Sequence, residues 1–388
     1  MKISEVKSRK QIRAFLDVPH FIYRDDPNWI SHLDNDIEAV FNPEKNNFFD
    51  FGIATRWVLY DDNNQAIGRV AAFINRHLAY TYEHPTGGMG FFECVNDREA
   101  AFLLMDTAKN WLQERGMEAM DGPVNFGEKD RFWGLMVDGF DTPPPYLLNY
   151  NPPYYQELFE AYGFQNYYEQ YVYGLNKHTK ISPLVFRLHE RLTQNQGYEF
   201  RPMRLSKLEK YAEDFMQIYN EAWRDVHKHF RPMTRDQAIG TFKSMKAVAD
   251  EDLVIFAYHN ERPIAVFVGI PELNQLFRHV NGKLDLTGKL KVLYHKWRNP
   301  CTTVYGIVFG IVPEYRNKGV ESGLIVSIRE SVLNTRIYQD MYIAWIGDFN
   351  PKMIRIVEML TKRRVFTLVT YRKMFKKSYK FSRHPLMD

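Results

Sequence analysis

The sequence predicts an α/β protein made of two related halves in tandem. Three observations carry that expectation. The run from Ile307 to Ile325, IVFGIVPEYRNKGVESGLI, reads as a buried strand, a tight loop and the start of a helix. Strand-like and helix-like segments alternate through the whole chain, which is the pattern of an α/β fold. Landmarks also recur in one register: Tyr60 and Tyr258, each ending the first strand of a hairpin, stand 198 positions apart (258 − 60), and the pairs Asn151-Pro152 and Asn350-Pro351 stand 199 apart (350 − 151). Self-similarity at a fixed spacing marks an internal repeat. At 388 residues the chain is also long for a single core. The expected halves are residues 1–180 and 181–388.

Each element has a local reason. In the first half, residues 2–6 are strand-like and lead into a helix through Ile12, Phe15 and Leu16. Ala54–Tyr60 and Ala66–Asn75 flank the turn Asp61-Asp62-Asn63-Asn64 and read as a hairpin. Asn96 or Asp97 caps a helix that Gly116 ends. A short strand at Met117–Asp121, a loop-rich stretch to Pro145, a helix from Tyr154 to Tyr162 stopped by Gly163, and a strand from Asn166 to Tyr173 complete it.

Ser182-Pro183 starts a linking helix over residues 183–195. The second half then repeats the order: a strand at Tyr198–Met203, helices at Leu205–Val226 and Arg235–Ala249, and a hairpin of Leu253–Tyr258 with Pro263–Ile270. An insertion over 271–300 carries one expected helix, Leu286–Trp297. Beyond the Ile307–Ile325 run come a strand at Tyr342–Ile346, a helix from Asn350 to Leu360 and a strand at Val365–Phe375.

Within Ile307–Ile325, β-branched residues favour a strand. Pro313 cannot donate to a sheet ladder and ends it. Val320, Leu324, Ile328 and Val332 then recur every four residues, one apolar helical stripe. The first amides of such a helix have no carbonyl partners and carry partial positive charge, so the loop before it suits a phosphate. Arg316 and Lys318 add full charges there.

The string Val312-Pro313-x-Tyr315-Arg316-x-x-Gly319 resembles the acetyl-coenzyme A loop of the GNAT family of N-acetyltransferases, whose pattern is Arg/Gln-x-x-Gly-x-Gly/Ala after a Val-x-Pro strand end. Arg316 and Gly319 match; Glu321 stands where Gly or Ala is expected, and a carboxylate there repels a diphosphate. The element order of residues 198–375 is also the GNAT order, followed more loosely by 1–175. The whole resembles a tandem GNAT protein, an arrangement also found in N-myristoyltransferases and FemX-like aminoacyl transferases. The resemblance implies two mixed, mostly antiparallel sheets flanked by helices. It implies one acyl-coenzyme A site, in the second half, because Val95-Asn96-Asp97-Arg98-Glu99 in the first offers two carboxylates and no glycine.

By the same resemblance, the backbone of Gly310, Ile311 and Val312 holds the thioester, and Arg316, Asn317, Lys318, Gly319, Val320, Glu321 and Ser322 cradle the diphosphate. Asn350 contacts the cofactor. The Tyr that often protonates the leaving thiolate in this family, seven residues after that Asn, is Val357 here. Tyr305 and Asp348 are the catalytic candidates, with Glu272 and His279 from the insertion behind them.

Composition narrows the classes. A net charge of +4 is too small for a nucleic-acid surface. Residues 351–388 hold eleven Lys/Arg against Glu358 and Asp388, a tail able to attract a phosphorylated cofactor or a membrane surface. Two cysteines, no apolar N-terminal run and no 20-residue apolar stretch suggest a cytoplasmic protein without a signal peptide or transmembrane segment. His227 and His229 lack a carboxylate or thiolate to complete a metal site, so no metal is expected. Walker, Gly-x-Ser-x-Gly and Gly-x-Gly-x-x-Gly motifs are absent. The expected activity is acetyl transfer from acetyl-coenzyme A to a small-molecule or peptide amine, by direct attack in a ternary complex. The alternatives are another donor (a long-chain acyl-coenzyme A or aminoacyl-tRNA) and a binding or scaffold protein that keeps the fold without the chemistry.

Overall fold

The computed structural model describes residues 1–194, 197–224, 231–246, 248–335 and 337–387, without the side chains of 333–335. The first half runs β1 (Lys2–Glu5), α1 (Arg9–Ile22), α2 (Asp34–Val40), β2 (Gly52–Tyr60), β3 (Ala66–Asn75), α3 (Arg76–Ala79), β4 (Thr86–Cys94), α4 (Arg98–Gln113), β5 (Ala119–Gly122), β6 (Leu135–Asp138), α5 (Tyr155–Tyr162) and β7 (Gln165–Asn176). The linker α6 (Pro183–Thr193) leads to β8 (Tyr198–Pro202), α7 (Leu208–Ala222), α8 (Arg235–Met245), β9 (Val254–His259), β10 (Arg262–Pro271), α9 (Asn274–Phe277), α10 (Leu286–Arg298) and β11 (Thr303–Ile311). The chain closes with α11 (Val320–Thr335), β12 (Asp340–Gly347), α12 (Pro351–Glu358) and β13 (Arg364–Met374).

Local signals explain most boundaries. Ser8 and Gln11 form a capping box on α1, Asp97 caps α4, and Ser182 caps α6 ahead of Pro183. Gly163 ends α5 with φ +95°, a conformation open to glycine at little cost. The sequence predicts no element over 86–94, whose three glycines mask a strand, and none for α2, α3, α9 or β6. Of the expected helix at 205–226, the described residues form a 3-10 turn at Leu205–Lys207 followed by α7, and residues 225 and 226 lie outside the described residues.

The halves share one sheet, ordered β1-β2-β3-β4-β5-β13-β7-β12-β11-β10-β9-β8, with β6 beside β13. Each half therefore lends its last strand to the other. β13 lies between β5 and β7, and β7 pairs with β12. The boundary near residue 180 is a point in the sequence and not a seam in the sheet. Pairings are antiparallel except β4 with β5 and β11 with β12. Separate cores pack the two halves, one under α4 and α5 and a larger one around α7, α8 and α11.

Among the described residues, no helix is long and apolar enough to cross a membrane. After β13 the chain does not trail away. Phe375 donates its amide to Glu118, His384 to Tyr167 and Met387 to Phe349, so residues 375–387 run as a strap over the junction of the halves.

Candidate functional site

The site follows from how two strands separate. β11 and β12 pair only from Thr303 with Asp340 to Gly306 with Ile343. Beyond that β11 stays with β10 as far as Ile311, while β12 follows β7 to Gly347. The separation begins at a β-bulge: Gly269 faces Gly306 and Val268 faces Val308, which leaves Ile307 as the extra residue. Past the bulge the two strands no longer pair across the gap.

A cavity of about 620 Å³ fills this gap. Gly306 to Phe309 and Ile343 to Gly347 form its strand walls, α7 contributes Phe215 and Tyr219 with Trp223 at its C-cap, and α11 contributes Ile325, Ile328 and Val332. Met353, Ile356 and Val357 of α12 close another side. The surface is mainly apolar, and the space is in the range of small-molecule sites.

Several assigned residues sit here and several do not. Asn350 lines the cavity while its Oδ1 caps α12 by accepting from the Met353 amide at 3.1 Å. Val357 lines it too, so an apolar wall stands where the family acid was sought. Tyr305 does not line it; it is buried against Leu33, Leu273, Phe277 and Cys301, where burial raises its pKa. Asp348 is ion-paired with Arg383 of the strap and is likewise not a wall residue. Tyr305 precedes the bulge on β11 and Asp348 lies in the turn after β12, and neither side chain is among the walls of the cavity.

Glu272 is also structural. It accepts from the amides of Tyr146, Asn274 and Gln275, and burial lifts its pKa to about 7. His279 stacks on His295 at 3.6 Å, outside the cavity. His227 and His229 lie outside the described residues. Among those described, no group of three or more His, Cys, Asp or Glu could hold a metal ion.

The loop before α11 departs from a simple anion cradle. Asn317 (φ +61°) and Gly319 (φ +89°) take left-handed conformations that turn the chain into the helix. Yet the Glu321 carboxylate accepts from the Asn317 amide at 3.1 Å, so one expected phosphate donor is already engaged. The Arg316 guanidinium turns inward to the carbonyls of Ile311 (3.2 Å) and Ala222 (2.8 Å). The Val312 amide is committed to Ile264 at 2.9 Å. Lys318 is exposed, with Nζ 5.1 Å from the Tyr315 ring centre. Gly310, Ile311, Val320 and Ser322 are buried next to this turn. On β11 the cavity is walled by 306–309, nearer the bulge than the assigned 310–312.

Two further polar wall residues carry no mark in the sequence. Lys129 and His384 line both the large cavity and a smaller one of about 60 Å³ in the first half, beside Asp121, Asn125 and Tyr168. His384 Nδ1 lies 2.7 Å from the Pro385 carbonyl, which can only accept, so the proton sits on Nδ1 and Nε2 keeps a lone pair. Burial lowers the His384 pKa; the Pro385 bond and Asp348 oppose this, while Lys129 and Arg372 reinforce it. Burial likewise lowers the Lys129 pKa, against Asp121 and Glu128. Asn125 Oδ1 is buried at the small cavity with no hydrogen-bond partner. No motif pointed to His384, since its role depends on where the strap folds back.

A gap between two splayed parallel strands, repeated in tandem on one sheet, is the tandem GNAT fold. The chain superposes on a tandem GNAT protein from the clavulanic acid biosynthesis pathway with a TM-score of 0.55, 11% identity and coverage of 97% of this chain and 99% of that one. It superposes on a GCN5-related N-acetyltransferase from Sphaerobacter thermophilus with a TM-score of 0.50, 9% identity and 98% of each chain. No family model matches. Two curated relatives match nearly end to end: a bacterial ceramide synthase of Caulobacter vibrioides (25% identity over 378 residues, 96% of this chain and 97% of the relative) and protein YghO of Escherichia coli (24% over 364 residues, 91% and 90%).

Proposed function

We propose that this protein transfers a long acyl chain from coenzyme A to the amine of an amino-alcohol lipid. The observation that carries the reading is the cavity, whose roughly 620 Å³ of mainly apolar space is far more than an acetyl group fills. Burying a methylene contributes about 0.8 kcal/mol, so a chain that occupies the gap is favoured over a two-carbon acyl group by several kcal/mol. The likeness to a bacterial ceramide synthase supports the same choice, because a ceramide is a long-chain amide of an amino alcohol.

The fit to coenzyme A is uneven. The unpaired strand edges and Asn350 suit its pantetheine arm, whereas Glu321 on the Asn317 amide weakens the diphosphate end. In this reading the edge of β11 near the bulge orients the thioester carbonyl, and the remaining loop amides with Lys318 meet the diphosphate. His384 Nε2 accepts the proton that the acceptor nitrogen releases as the C–N bond forms and the C–S bond breaks; that proton leaves with the thiolate. Asn125 Oδ1 accepts from a hydroxyl or amine of the acceptor head in the small cavity. The pantetheine arm takes part of the gap with any donor; an acetyl group would leave the rest of its apolar lining uncovered.

The test is free-thiol release with sphinganine as acceptor, using acyl-coenzyme A donors from two to eighteen carbons, with mass spectrometry of the amide. Turnover should rise steeply with chain length. A preference for acetyl-coenzyme A, or thiol release without amide, would sink the proposal.

A further inference from the structure

We infer that α10 is a membrane-docking helix that seats this protein on an anionic lipid surface. Large apolar side chains are rarely left in water as a group. Here Leu286, Leu290, Leu293 and Trp297 are 74%, 59%, 62% and 80% exposed, and Tyr294 is 55% exposed. They follow one another at intervals of four, three and four along the helix, with Tyr294 adjoining. At 3.6 residues per turn they form a single stripe about 100° wide. The opposite side of the helix holds it to the protein: Gly288 is buried, Val292 packs on the cluster around Leu273 and Phe277, and His295 stacks on His279.

Charge identifies the occupant. Lys289 and Lys296 border one edge of the stripe, and Lys291 and Arg298 the other, while no Asp or Glu occurs from 286 to 300. An apolar stripe with a tryptophan, edged on both sides by cations, is the arrangement that lies flat in the headgroup region of a bilayer. A second copy of the chain would set these cations against one another, and no acidic patch on the helix offers relief. The sequence points to the basic C-terminal tail for membrane contact. The structure ties that tail down as the strap and presents α10 instead. The inference stands on exposure and charge alone and does not need the acyl-transfer reading.

Co-sedimentation of the full chain with vesicles tests it. The protein should pellet with vesicles containing phosphatidylglycerol, pellet poorly with pure phosphatidylcholine, and release in about 1 M salt, where the screening length falls to about 3 Å. Leu290→Asp with Leu293→Asp and Trp297→Asp should abolish pelleting with an unchanged melting temperature, because all three side chains face water. Lys289→Glu with Lys291→Glu should weaken binding by more than about tenfold, since each cation near the surface contributes about 1 kcal/mol. Failure to pellet with either vesicle overturns the inference, as does pelleting of the triple Asp variant like the parent. A dimer that Leu293→Asp dissociates, without vesicle binding, overturns it in favour of a protein contact.

Discussion

The two halves contain the same strand-loop-helix unit, and they differ in what lies between the separating strands. In the second half β11 and β12 part and enclose open space. In the first half β4 and β5 pair from Thr86 with Ala119 to Gly88 with Asp121, and then the chain itself enters the gap. The Val124 amide donates to the Met89 carbonyl at 2.8 Å, and a Cβ on Gly90 would meet the Val124 carbonyl oxygen at 1.8 Å. One half thus hydrogen-bonds its own backbone where the other leaves a strand edge bare. The fold supplies a gap in either case; a site exists only where the chain leaves it empty.

The largest expected effect lies at the strap, where the open gap meets the first half. His384→Gln should lower kcat by about 10²–10⁴-fold, the usual range for loss of a general base. The sign in pH is fixed by the lowered pKa. Parent activity should fall as pH drops through a value below 6.5, where the imidazole protonates, and the variant should lack that acidic limb. Unchanged donor binding by calorimetry would separate lost chemistry from lost fold. A variant that keeps both the parent rate and the acidic limb would remove His384 from the mechanism.

Filling the two gaps should have opposite consequences. Gly90→Val forces atoms into an occupied gap and should destabilise the protein by about 3 kcal/mol, read by denaturant melts. Val308→Trp puts an indole into open space. It should leave stability nearly unchanged and weaken long-chain acyl-coenzyme A binding by more than about tenfold, or about 1.4 kcal/mol. Equal stability losses in both variants would mean that the halves do not differ as described.

The smallest effect concerns the loop. Glu321→Ala frees the Asn317 amide and removes a negative charge. Affinity for coenzyme A should tighten by about fivefold or less, because this exposed turn is screened by solvent. Weaker binding would show that the carboxylate shapes the loop and does not obstruct it.

The legible part of the fold was whatever depends on nearby residues. Periodicity on α11, caps at Asp97 and Ser182 and the Gly163 stop all lie within a few residues of the structure they set. Strand β4 escaped notice because its glycines are spaced for close approach by neighbours: Phe73 against Gly88, Val124 against Gly90. The cavity was only partly legible. Asn350 and the apolar strand were visible, but the bulge at Ile307 is a property of pairing with β10 and leaves no local mark. Tyr305 and Asp348 were natural candidates by residue type. Which face a strand residue presents, and whether Arg383 has already claimed a carboxylate, are decided by long-range packing.

The exchange of last strands has a consequence for the order in which this molecule can be made. A ribosome emits the first half well before residues 364–374 exist, and until they arrive β5 and β7 lack the strand that belongs between them. The early product must wait with two inner edges unsatisfied, a state prone to pairing with strangers. Cutting the gene near codon 180 would make that wait permanent for each fragment, and only joint expression would let the pieces complete one another.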